Sequence, residues 1–139
     1  MTAVKNQQEW IYDPGEHRDK HCGSGSAAEF TRKGSTYIGL CPHTLTKTEA
    51  EGLLRKAEFP NKSGQITEYP KRVWNVHHDG VIYEASPTDE NKASYHGYPW
   101  RGRPGRNRLP REVERSLRNE AAKLDCLEAF EKWLKEHNA

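Results

Sequence analysis

Five arginines in one short segment are the residues of this chain whose chemistry points most directly to a partner. They lie within eleven positions and are Arg101, Arg103, Arg106, Arg108 and Arg111. A guanidinium group is always charged, and its planar fork matches the geometry of a phosphate. Ring-bearing residues on which unpaired bases would stack come just before or at the start of this run, namely Tyr95, His96, Tyr98 and Trp100. The pattern predicts a site for RNA or another single-stranded nucleic acid.

The distribution of charge supports this prediction better than the net charge does. The 139 residues carry a formal charge of only +2, yet the stretch from Lys92 to Arg111 has six basic residues and no acidic one. The remainder therefore holds 16 basic residues against 20 acidic ones. In the alternative interpretation, Tyr98 and Trp100 anchor the core. The arginines then neutralise the C-terminal segment 112–139, which has seven acids and five bases.

A predicted hairpin over residues 73–85 carries the residues that could act as acid and base. Asp79-Gly80 is typical of a two-residue type I′ turn, which places Asn75 opposite Glu84 and puts His77 on the same face. A histidine with a near-neutral pKa can transfer protons, and a carboxylate can orient it. His77 and Glu84, with a cation for the phosphate, would then suit a metal-independent ribonuclease. The alternative is an exposed cross-strand pair.

Histidines and cysteines elsewhere do not form a recognisable metal motif. The candidates are His17, His21, Cys22, Cys41 and His43. Zinc sites usually show two closely spaced ligand pairs, and this spacing matches no standard finger. We therefore predict no metal and no cofactor. A nucleophile at Cys22 or Cys41 has no local signature to support it.

The elements expected to position these residues define an α+β fold with a small antiparallel sheet centred on the hairpin. A helix over 46–58 begins at a capping box, and Pro60 prevents its continuation. Apolar residues from Val113 to Leu134 recur at three- and four-residue steps, which predicts one long C-terminal helix or two in sequence. The Trp74/Tyr83 face of the hairpin is expected to pack on it. Residues 1–30 are interpreted as an irregular arm and 31–139 as a single domain, with a short piece around Trp10 docked.

Composition limits the location and class of the protein. Three cysteines are an odd number, residues 1–8 lack the apolar stretch of a signal peptide, and no apolar run reaches membrane-spanning length. We expect a cytoplasmic, nucleic-acid-binding protein that catalyses no reaction and contacts no membrane. Two alternatives stay open. One is a ribonuclease-like toxin or effector, and the other is an immunity or regulatory module whose basic loop meets an acidic protein.

Overall fold

The architecture is taken from a computed structural model that describes residues 7–12, 29–33, 36–40, 47–60, 62, 69–89, 94–102 and 108–137. A short 3-10 turn at Gln7–Glu9 precedes the first strand. The strands are β1 (Ile11–Tyr12), β2 (Glu29–Lys33), β3 (Thr36–Leu40), β4 (Val73–Val76), β5 (Ile82–Asp89) and β6 (Ser94–Pro99). The helices are α1 (Lys47–Arg55), α2 (Arg111–Lys123) and α3 (Leu127–His137). None of these helices is long and apolar enough to cross a membrane.

The main sheet has four strands in the order β1-β6-β5-β4, and β2 pairs with β3 in a separate two-stranded sheet. β6, β5 and β4 are antiparallel neighbours, as expected for a hairpin extended by one strand. β1 runs parallel to β6, with Tyr12 opposite Tyr95. The predicted α+β class is confirmed, but the sheet is mixed rather than purely antiparallel. The segments that form β1, β2 and β6 were not predicted as strands.

The predicted hairpin is present, but its predicted register is wrong by one residue. Trp74 lies opposite Glu84 and Val76 opposite Ile82. Gly80 has φ +87°. Asp79 lacks the positive φ that a type I′ turn also requires, because Asp125 is the single non-glycine residue with positive φ in the described part of the chain. Gly80 N–H donates to the carbonyl of His77 at 2.9 Å, and His77 N–H donates to Val81 at 3.0 Å. This is a three-residue loop with a left-handed glycine, not a type I′ turn.

The change of register redistributes the side chains between the two faces of the sheet. Trp74, Val76, Ile82 and Glu84 now share the face that packs on α2 and α3. Tyr83, which was expected to accompany Trp74, lies on the opposite face with Asn75. That second face forms its own core with α1, and the core includes Trp10, Leu54 and Val73.

Two C-terminal helices are present, because the chain turns sharply between them. Asp125 adopts φ 58° just after α2, in the left-handed region. Asp125 N–H donates to Ala122 at 3.2 Å, and Cys126 N–H donates to Ala121 at 2.9 Å. These are the two bonds of a Schellman motif, which ends a helix and satisfies its last carbonyls. The break leaves Leu124 and Leu127 exposed, while the rest of the predicted apolar stripe in the two helices is buried.

The segment before β1 is docked against the end of α1. Trp10 is completely buried, and its carbonyl accepts a hydrogen bond of 3.0 Å from Arg55. Gln7 donates to the carbonyls of Leu54 at 3.2 Å and Ala57 at 2.9 Å. The last carbonyls of a helix have no partner within the helical ladder, and the Gln7 amide donates to one of them, the carbonyl of Leu54 in the last turn of α1. The expected docking through Trp10 is present. Thr46, the predicted cap of α1, lies outside the described residues.

Candidate functional site

The two residues predicted to act as acid and base lie on opposite faces of the sheet, so the predicted pairing is wrong. Glu84 is 3% exposed and faces the core formed with α2 and α3. Its carboxylate accepts a hydrogen bond of 2.9 Å from the indole nitrogen of Trp74. His77 follows β4 on the other face, and its ring meets Tyr83 edge-on. The one-residue shift in register is the cause, because it moves Glu84 to the face of Trp74.

Glu84 belongs to a buried polar group that includes Tyr98, its neighbour on β6. Burial raises the pKa of the Tyr98 phenol strongly, and the charge of Glu84 and a hydrogen bond to it raise that pKa further. The Tyr98 hydroxyl also lies 2.7 Å from the Ser86 hydroxyl. Tyr98 is therefore held by the sheet and remains a neutral phenol at physiological pH. Glu84 is thus a buried core residue, and Tyr98 is half-buried beside it.

Two of the four predicted stacking residues are core residues. Tyr95 and Trp100 are both 0% exposed, so neither ring offers a face to a base. The Tyr95 hydroxyl donates to the carbonyl of Pro70 at 2.9 Å. The carbonyl of Trp100 accepts a bond of 3.1 Å from Trp133. His96 is half-buried and lies 3.1 Å from the Thr88 hydroxyl.

The arginines of the basic segment are only partly described. Arg103 and Arg106 lie outside the described residues. Arg101 is half-buried and near enough to His137 to help lower the pKa of that imidazole. Arg108 and Arg111 are exposed, and within the described chain neither forms an ion pair with a carboxylate. The described carboxylates of α2 and α3 that do pair with arginine, Glu114 and Glu131, are held by Arg118 instead.

A cleft beside β4 collects polar side chains that the sequence did not bring together. It has a volume of about 600 Å³ and is lined by α1, by β4 with the turn after it, and by the end of α2. His77 Nε2 lies 2.9 Å from a carboxylate oxygen of Glu49 in the first turn of α1. The exposed ring of His78 is 4.0 Å from that of His77. Pockets of this size are common binding sites, so the cleft is a second candidate site.

The sequence indicated His77 as a site residue but did not indicate Glu49, whose carboxylate is the nearest to the His77 ring. The two residues are 28 positions apart, and no spacing rule links a helix start to a distant hairpin turn. Within the described chain, Cys126 is the only cysteine and is buried. Burial raises the pKa of its thiol, which makes it a poor nucleophile. The earlier metal candidates His17, His21, Cys22, Cys41 and His43 lie outside the described residues.

The described residues form a small α+β protein with two exposed arginines, Arg108 and Arg111, at the start of α2 and a histidine-containing cleft beside β4. No protein-family model, curated protein or solved structure matches the chain. The function must therefore be inferred from the geometry and chemistry of these two surfaces.

Proposed function

We propose that this protein binds RNA or another single-stranded nucleic acid in the cytoplasm, through the arginine-rich segment 101–111, and does not cleave it. The observation that carries the proposal is the state of Arg108 and Arg111, which are exposed and have no carboxylate partner in the described chain. Guanidinium groups that are not neutralised internally are available to phosphates. Arg108 precedes α2, and Arg111 is the first residue of that helix.

The ends of the segment are anchored in the core. Trp100 precedes it with no exposed surface, and Leu109 lies within it at 8% exposure. Both residues belong to the cluster formed with α2 and α3. Buried anchors of this kind hold the backbone of their chain neighbours Arg101 and Arg108, so less entropy is lost when these two arginines bind a ligand. Tyr95 and Trp100 would thus support the arginines, and stacking on their rings is not part of the proposal.

With two of the four rings in the core, most of the binding energy should come from contacts to phosphate. Such contacts release condensed counterions, so affinity falls steeply as salt is added. For single strands, the slope of log affinity against log salt changes by about 0.7 for each phosphate contact. This dependence separates the proposed mode from one dominated by stacking, for which salt matters less.

The test is a fluorescence-anisotropy titration of a labelled single-stranded RNA at several salt concentrations. The double variant Arg108→Ser/Arg111→Ser is compared with Lys132→Ser/Lys135→Ser, which removes the same charge from exposed positions of α3. We expect the arginine variant to bind at least tenfold more weakly, with a smaller salt slope, and the lysine variant to bind nearly as wild type does. Equal loss in both variants, or no binding at low salt, would overturn the proposal.

The alternatives give different results in companion experiments. Total RNA incubated with the protein in EDTA should stay intact. Cleavage that disappears in His77→Ala would instead establish the ribonuclease class, with Glu49 in place of Glu84 beside the histidine. A protein–protein module would show no affinity for nucleic acid at any salt concentration and would form a stable complex with one acidic protein. Either outcome would replace nucleic-acid binding as the function.

A further inference from the structure

Three potential metal ligands converge in the cleft beside β4, and they come from two separate elements. Glu49 lies in the first turn of α1, and His77 and His78 follow the end of β4. One ligand atom from each of the three lies within 4.8 Å of the others. Donors around tetrahedral zinc, with bonds of about 2.0–2.1 Å, stand about 3.3 Å apart. Small side-chain rotations would therefore close the group around an ion.

We propose that Glu49, His77 and His78 bind one divalent transition-metal ion, with zinc as the representative of its class. Two imidazoles and a carboxylate suit zinc, iron, nickel or copper. Calcium and magnesium prefer sets of oxygen ligands and are poorly served by two ring nitrogens. The inference is independent of nucleic-acid binding, because the described arginines of segment 101–111, which are Arg101, Arg108 and Arg111, do not line the cleft.

The surroundings of His77 are those of a ligand more than those of an ordinary surface histidine. Its side chain is 13% exposed, and Nε2 contacts Glu49 at 2.9 Å. Nδ1 is buried and has no hydrogen-bond partner among the described residues, since the carboxylate of Asp79 is 3.6 Å away. That Asp79 oxygen already accepts a bond of 3.0 Å from Val81 N–H. A buried nitrogen without a partner is uncommon and needs an explanation. A rotation of the His77 ring that brings this nitrogen to a metal ion would provide that explanation.

Contacts on both sides hold the turn that carries the two histidines. A Cβ added to Gly80 would lie 2.5 Å from the Cβ of Ala129, so the turn is packed directly on α3. The Cys126 thiol donates to the carbonyl of His77 at 3.6 Å. On the other side, the Asn75 amide donates to the carbonyl of Leu53 at 2.9 Å and joins β4 to α1. Ligands on a supported backbone need little reorganisation to bind an ion.

Three protein ligands leave coordination positions for water or a small molecule. Zinc sites that act on substrates commonly have two histidines and one glutamate with a fourth position open. Here the open side faces the cleft of about 600 Å³, whose wall also includes Glu120. The proposed ion would therefore be accessible from solvent and able to exchange.

Isothermal titration of the reduced full-length protein with zinc chloride tests the proposal, with no nucleic acid present. We expect one tight site in the wild type and at least tenfold weaker binding in Glu49→Gln and in His78→Gln, since loss of even an outer-shell group costs about 10–100-fold. The matched controls His96→Gln and Glu112→Gln remove the same groups outside the cleft and should bind zinc as the wild type does. Magnesium and calcium chloride should give no binding heat at the same concentrations.

Wild-type zinc affinity in both cleft variants would overturn the proposal and would assign the ion to other histidines and cysteines. The absence of a one-to-one zinc site in the wild type would also overturn the proposal. His78 is exposed, so His78→Gln should keep the fold, and a cooperative thermal transition checks this. If Glu49→Gln unfolds, His78→Gln decides the result by itself. If the zinc proposal fails, the results expected for the RNA titrations do not change.

Discussion

The indole nitrogen of Trp74 donates a hydrogen bond of 2.9 Å to the carboxylate of Glu84, which lies directly opposite it in the β4–β5 pair. This contact joins two buried side chains on the face that packs against α2 and α3. A polar group buried away from water must be hydrogen-bonded, so the pair favours the observed register over one shifted by a residue.

Removing the Glu84 carboxylate should destabilise the fold. In Glu84→Ala the Trp74 N–H loses its acceptor inside the core, and we expect the free energy of unfolding to fall by about 2–3 kcal/mol. Glu84→Gln keeps an oxygen for Trp74 and should cost less than the alanine change. Urea denaturation followed by tryptophan fluorescence measures both. Stability equal to that of the wild type in Glu84→Ala would show that the pair does not hold the sheet.

Two glycines should respond in opposite ways to the same substitution. Gly80 has φ +87°, and an added Cβ would lie 2.5 Å from the Cβ of Ala129. Gly80→Ala should therefore cost about 3 kcal/mol, from backbone strain and displacement of α3. Gly52 lies within α1 with nothing within 4 Å of the added atom, so Gly52→Ala should stabilise by about 0.5–1 kcal/mol. Thermal unfolding of the two variants tests the assignment, and a neutral Gly80→Ala would contradict the three-residue loop.

His137 should make the stability of the protein depend on pH in the mildly acidic range. Burial lowers the pKa of this imidazole below its usual 6.5, and Arg101 contributes in the same direction. The unfolded chain therefore binds the proton more readily than the native protein does. Stability is fully present above about pH 6.5 and falls as the pH drops below that value toward the native pKa.

Urea titrations of the wild type and of His137→Gln between pH 7.5 and pH 5 measure this effect, and the variant should show the smaller decline. Glu131 does not contribute between pH 7.5 and pH 5. Its hydrogen bond and ion pair with Arg118 lower the pKa of the Glu131 carboxyl below 4.5, so this group affects stability only at more acidic pH. Identical pH profiles for the two proteins would contradict a half-buried His137 with a lowered pKa.

Local sequence signals determined the helices and the position of the hairpin. The apolar stripe through Val113, Leu117, Phe130 and Leu134 marks residues that are all buried. Asp79-Gly80 located the turn correctly, because glycine adopts a positive φ at little steric cost and Gly80 has φ +87°. These features depend on residues close together in the chain, so periodicity and turn chemistry are enough to predict them.

Tertiary contacts decided the register, the mixed sheet and the content of the cleft. Asp79-Gly80 is compatible with a two-residue or a three-residue loop, and the packing of Gly80 on Ala129 with the Trp74–Glu84 bond favours the second. That single step of register moved Glu84 into the core and left His77 to meet Glu49, 28 positions away. Pairing between distant segments depends on how whole elements pack. Because successive side chains of a strand alternate between the two faces of the sheet, an error of one residue in the register exchanges the faces.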